Sequence, residues 1–204
     1  MGKSRLEAFS DGVLAIIITI MVLELKVPHG EGIEALRPLL PVFLSYLLSF
    51  INIGIYWNNH HHMFHTVHRV TGGMLWANLA LLFWLSLLPF TTAWLGEGHL
   101  APLPMALYGI VLLGSGATYK ILQTVIINSQ GKDSLLKRAV GNDFKGLIPF
   151  VLYATGVIVS WWLPALALAL YILVALIWLV PDTRIERAMA DADHEASHAS
   201  QGRR

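Results

Sequence analysis

Residues 5–25 read R-L-E-A-F-S-D-G-V-L-A-I-I-I-T-I-M-V-L-E-L. From Gly12 to Leu23 every residue except Thr19 is apolar or glycine, and a carboxylate, Asp11, stands at the mouth of the run. A helix that is apolar on all sides belongs in lipid or in the middle of a bundle. An ionisable group in such a helix is costly to hold there and marks a functional position by default. The stretch predicts a membrane-spanning first helix, copies of which are expected to line a cation pore.

Composition points to the same medium. The 204 residues are 55% hydrophobic and 13% charged, with a mean hydropathy of +0.60, which leaves too little polar surface for a chain surrounded by water. The formal charge is +1, and Lys and Arg are dispersed rather than gathered in a basic stripe, so no nucleic-acid partner is expected. With no Cys at all, disulfides, thiolate metal sites and Cys nucleophiles are excluded. Arg5, Glu7 and Asp11 interrupt the N-terminus and no small-residue cleavage site follows, so it does not read as a cleavable signal. The spans carry no paired carboxylates and no nucleophile motif, so enzyme chemistry is not expected.

Outward from the first span, the chain reads as six apolar segments of about 20 residues, the length that crosses roughly 30 Å of hydrocarbon. They run over about Leu6–Leu25, Leu39–Phe64, Met74–Trp94, Pro102–Ile126, Gly146–Trp162 and Leu163–Val180. The last two meet at a tight W-W-L-P turn, Trp161 to Pro164, and paired Trp suits the membrane interface. Residues 1–181 are thus expected to form one six-helix unit, and residues 182–204 a polar tail, a short helix fraying into disorder. All Lys and Arg except Lys26 and Arg37 fall on one side of this topology. The positive-inside rule then makes both termini cytoplasmic.

Within the first span, Ile16, Thr19, Ile20, Leu23 and Val27 share one face at helical spacing. Converging on an axis, several copies of that face would stack rings of branched apolar side chains with a ring of hydroxyls among them. Apolar rings gate by dewetting, and oxygen ligands replace part of an ion's water shell. The alternative is that Ile and Leu meet lipid while Thr19 bonds back to a carbonyl one turn earlier. Arg5 and Asp11 are six residues apart, too far round the helix to pair, so each needs a partner on another helix. Asp11 as a cap at the helix start is the competing reading.

The second span carries a polar stripe, Ser45, Ser49, Asn52, Tyr56 and Asn59, expected to face other helices or water. Beside it lie Trp57, His60, His61 and Phe64, and the third span adds Asn78, Ser86 and Pro89. His60, His61, His62, His65 and His68 are the densest cluster of one residue type. His61, His65 and His68 share a face, which opens a metal reading beside solvated interfacial imidazoles or a hydrogen-bond role for one of them.

The R-L-E-A-F-S-D motif, Arg5 to Asp11, resembles the Arg-x-x-x-Phe-Ser-Asp signature of the transmembrane protein 175 family, the lysosomal-type potassium channels and their bacterial relatives. F-I-N-I-G-I-Y-W-N-N-H-H in the second span and L-W-A-N-L in the third are similar to that family as well. The resemblance implies an all-α homotetramer of six-helix subunits with the first helix lining the pore, and without a carbonyl-lined filter loop. It implies a hydrophobic constriction of Ile16, Ile20 and Leu23, with Thr19 as the layer that gives potassium preference. It further implies an inner-end network of Arg5, Phe9, Ser10 and Asp11 with Trp57, His60 and Asn78, where the run of histidines leaves His60 against His61 open.

The expectation is therefore a potassium-preferring cation channel in the cell membrane, a homotetramer embedded in lipid, with no cofactor, no resident metal and K+ as the permeant ion. A proton- or metal-coupled carrier built on the His60–His68 cluster is the competing class.

Overall fold

The structure, a computed structural model, describes residues 2–131, 136–137 and 144–179, with residues 144 and 145 described by backbone alone. The expected tail lies outside the described residues. Helix α1 spans Lys3–Met21 and tightens into a 3-10 turn at Val22–Glu24. Gly2, in extended backbone, precedes the first turn, so Asp11 sits in the third turn and is not a cap. A second 3-10 segment, Ile33–Leu39, contains Pro38 and leads into α2, Leu40–His65. Pro41 is tolerated there because the N–H groups of a helix's first turn have no intrahelical partner. At 26 residues α2 is about 39 Å long.

The third span divides into α3, Gly72–Ser86, and α4, Leu88–Glu97. Pro89 has no N–H to give to the preceding turn, and the backbone breaks at Leu87, whose N–H is drawn to Trp84 O at 3.2 Å. Helix α5 spans Pro102–Gln130 and ends at Gly131, where φ is +91°. Two further helices, α6 at Phe144–Val159 and α7 at Pro164–Leu179, have 16 residues each. They are joined at the expected Trp-rich turn, closed by Leu163 N–H to Val159 O at 2.8 Å. Among the described residues, four helical segments are long and apolar enough to cross a membrane: the first, the second, α3 with α4, and α5.

Helix α5 is the spine of the bundle, with α3 along one side and α6 along another, and α7 closes on α6 and α2. Tyr171 of α7 is buried against two glycines. A Cβ at Gly109 on α5 or at Gly156 on α6 would run into its ring. Helix α1 packs against α2, α3 and α4 only on one flank of this bundle. Lys3 Nζ donates to His65 O at 3.2 Å, so α1 begins at the end of the molecule where α2 finishes. Around the outside, Trp76, Phe83, Phe90, Ile158 and Leu176 are exposed, an apolar surface suited to lipid rather than water.

Candidate functional site

Helix α1 has two faces. Leu6, Ser10, Leu14, Ile17 and Met21, at steps of four and three, are buried against α2, α3 and α4. Ile16, Thr19, Ile20, Leu23 and Val27 are all exposed. The contrast is sharp: Leu14 is 2% and Met21 1% exposed, whereas Ile16 is 57% and Leu23 75%. The 3-10 turn that carries Leu23 buries nothing. The Thr19 hydroxyl hydrogen is directed at Ala15 O, 2.9 Å, and Ile16 O, 3.0 Å. This is the back-bonding foreseen as the alternative, and it leaves the oxygen lone pairs on the exposed side.

A buried hydrogen-bond chain ties the N-terminal half of α1 to the bundle. Ser10 Oγ donates to Leu6 O at 2.9 Å and accepts from Asn78 Nδ2 at 2.9 Å. Asn78 Oδ1 meets His60 Nε2 at 2.7 Å. All three residues are buried. Of the consecutive histidines it is His60 that faces α3, while His61 is exposed. The His60 ring also stacks on Phe64, centroids 4.4 Å apart. At the rim of the chain, Trp57 Nε1 donates to Asp11 Oδ1 at 3.0 Å.

The structure thus brings Ser10, Asp11, Trp57, His60 and Asn78 together through three side-chain hydrogen bonds, Asn78–Ser10, His60–Asn78 and Trp57–Asp11. Arg5 and Phe9 are exposed on α1, and Arg5 makes no hydrogen bond or ion pair among the described residues. His68 lies beyond the end of α2 at His65. Among the described residues no group of three or more His, Asp or Glu is arranged to hold a metal.

Sequence reasoning missed a second knot, at the C-terminal end of α1. Ser49 Oγ lies 2.6 Å from Thr92 Oγ1 and 3.0 Å from Tyr108 Oη, and Thr92 Oγ1 reaches Met21 Sδ at 4.0 Å. Four helices, α1, α2, α4 and α5, therefore meet at one set of hydroxyls. The signal was the pair Thr91–Thr92 inside an otherwise apolar span, where polar groups seek partners on neighbouring helices. Outside the membrane-spanning segments, Lys26 Nζ reaches Glu97 Oε1 at 3.0 Å. That hydrogen bond, with the attraction of the carboxylate, raises the Lys26 pKa above its ordinary value.

The fold and this site define a multi-pass, all-helical membrane protein whose first helix keeps one face out of the bundle. Residues 5–89 match the family described as "Endosomal/lysosomal potassium channel TMEM175". A potassium channel of Chryseobacterium sp. (strain P1-3) is 56% identical over 191 residues, covering 94% of this chain and 100% of that protein. The crystal structure of a lysosomal potassium-selective channel TMEM175 homolog from Chamaesiphon minutus superposes with a TM-score of 0.76 at 28% identity, covering 88% of this chain and 97% of that one. The endosomal/lysosomal proton channel TMEM175 of Homo sapiens is 38% identical over 96 residues, 41% of this chain and 19% of that protein. The chain belongs to the TMEM175 family.

Proposed function

We propose that four copies of this chain form a potassium-preferring channel in the cell membrane, with both termini on the cytoplasmic side and the exposed face of α1 turned to the central axis. In this reading Ile16, Ile20 and Leu23 form the hydrophobic constriction, and Thr19 forms the oxygen layer that favours K+. Arg5, Phe9, Ser10, Asp11, Trp57, His60 and Asn78 hold the inner end of the helix in place. The Chryseobacterium relative, named a potassium channel, supports the activity. The distribution of Lys and Arg supports the orientation.

One observation carries the reading: a membrane-crossing helix with one flank anchored through Ser10 and Met21 leaves the flank bearing Thr19 bare. Facing lipid alone, the Thr19 lone pairs would have no partner. Facing a wet axis, the same oxygen is preset as an acceptor, because its single hydrogen already goes to the backbone. Four such oxygens suit a dehydrating cation, while the flanking Ile and Leu rings expel water when narrowed. A carrier built on the histidines gains no support, since His60 is buried against Asn78 and His61 is exposed.

The test is recording from purified channel in planar bilayers under a K+/Na+ gradient. Discrete unitary steps with a reversal potential displaced toward that of K+ are expected. Smooth, saturating flux without unitary steps would replace the channel by a carrier.

A further inference from the structure

The histidine run at the end of α2 is only partly used by the network around Ser10. His60 faces Asn78, but His61 and His65 are exposed on the last two turns. They are four residues apart, and neighbours at that spacing lie on one face of a helix. Their ring centroids are 4.6 Å apart with planes at 74°. Neither imidazole hydrogen-bonds to a described residue, so both keep a nitrogen lone pair available.

The geometry points to a two-imidazole site for a divalent transition-metal ion, formed by His61 and His65. Two imidazoles sharing one ion at a metal–nitrogen distance of about 2.1 Å hold their ring centres roughly 5 Å apart, close to what is found. The same i, i+4 pair is how a single helix supplies two zinc-binding histidines in metalloproteases. Imidazole selects Ni2+, Cu2+ and Zn2+ over K+, so the site is chemically distinct from the hydroxyl layer proposed for the pore. It also sits at a helix C-terminus, where the backbone dipole favours a cation.

The surroundings set its character. Among the described residues only these two side chains are placed to ligate, so water is expected to fill the rest of the coordination sphere and the ion to exchange readily. The His62 ring is 5.8 Å from that of His61 at 70°, turned edge-on to it. The Lys3 ammonium, bonded to His65 O, places a positive charge at this end of the helix. On the other side the Trp57 ring stacks on His61, centroids 6.2 Å apart at 26°, and its indole holds Asp11 of α1. A bound ion therefore lies one ring away from the contact between α2 and α1, and Trp57 reports its arrival.

The inference is tested on the whole channel, purified without a polyhistidine tag in detergent micelles and titrated with NiCl2 by calorimetry. The chain has nine His, so the comparison between variants decides the matter. His61→Ala and His65→Ala are each expected to weaken the tightest Ni2+ site at least about tenfold, because losing one arm abolishes chelation. His62→Ala is expected to leave it unchanged. CuCl2 quenching of tryptophan fluorescence is expected to lose one component in His65→Ala, and the same component in Trp57→Phe. Unchanged Ni2+ affinity in both His61→Ala and His65→Ala overturns the site, as does an equal loss in His62→Ala. These readouts are independent of conduction, so their failure leaves the channel reading intact, and failure of the bilayer recordings leaves the metal site intact.

Discussion

The Asn78 side chain on α3 donates to Ser10 Oγ on α1 across 2.9 Å, and its carbonyl oxygen is engaged by His60 on α2 at 2.7 Å. One amide therefore fixes the mutual position of three helices, with donor and acceptor both satisfied away from water. Breaking either bond leaves a buried polar group without a partner, and that penalty exceeds the small net value of a hydrogen bond already made. Ser10→Ala and Asn78→Ala are each expected to destabilise the protein by about 1–2 kcal/mol. A double-mutant cycle should return a coupling of about 1 kcal/mol. Reversible unfolding in mixed micelles measures both, and additive losses would show that the two side chains do not interact.

Thr19 is expected to set ion preference. In Thr19→Ala the reversal potential in mixed K+/Na+ solutions should move toward zero selectivity, whereas Thr19→Ser, which keeps the hydroxyl and its bond to Ala15 O, should retain it. An unchanged reversal potential in Thr19→Ala removes this residue from the selectivity layer.

Tyr171 fills space that two glycines leave open, and the glycines differ in what they meet. A Cβ at Gly109 would strike the Tyr171 hydroxyl first, whereas at Gly156 it would strike the ring edge. Each Gly→Ala substitution overpacks the core and should cost about 1–3 kcal/mol. Adding Tyr171→Phe is expected to recover part of the loss in Gly109→Ala and none in Gly156→Ala. Thermal melts in detergent distinguish the two, and equal rescue would contradict the packing.

The Lys26–Glu97 pair links the exposed turn after α1 to the end of α4. Because the Lys26 pKa is raised, the contact is fully present below the ordinary lysine pKa and is lost as pH rises through the elevated one. No change in stability from this pair is expected between pH 6 and 9. Both partners are largely exposed, so the effect on stability is small. Glu97→Gln should return Lys26 toward its ordinary titration, followed by NMR of the lysine side-chain carbon. A titration unaltered by Glu97→Gln would rule out the contact as its cause.

Much of this was legible from residue pattern. The unbroken apolar run after Asp11 forced a membrane helix, and helical spacing put Ile16, Thr19, Ile20 and Leu23 on one face, all of which stay outside the bundle. The polar stripe of the second span behaved as lipid chemistry demands: Ser49, Asn52 and Asn59 are buried. Other features depend on partners far along the chain. Three consecutive histidines look alike in sequence, and only the placement of Asn78 on α3 singles out His60. Pro89 read as part of one continuous third span, because a proline that kinks a continuous helix and one in the first turn of a new helix leave the same local signature. Thr92 acquires its meaning from Ser49, which bonds to it across 43 positions and to Tyr108 across 59, a convergence that no single window of sequence contains.

The central claim, that the bare face of α1 bounds the conduction path, is tested most directly by single-cysteine scanning, since the chain has no native Cys to remove. Ile16→Cys, Thr19→Cys and Leu23→Cys are compared with Leu14→Cys on the buried face and Phe83→Cys on the outer surface, each exposed to Ag+ during recording of K+ current. The account predicts rapid, irreversible block in the first three and none in the last two. Current untouched by Ag+ in Ile16→Cys, Thr19→Cys and Leu23→Cys would contradict it.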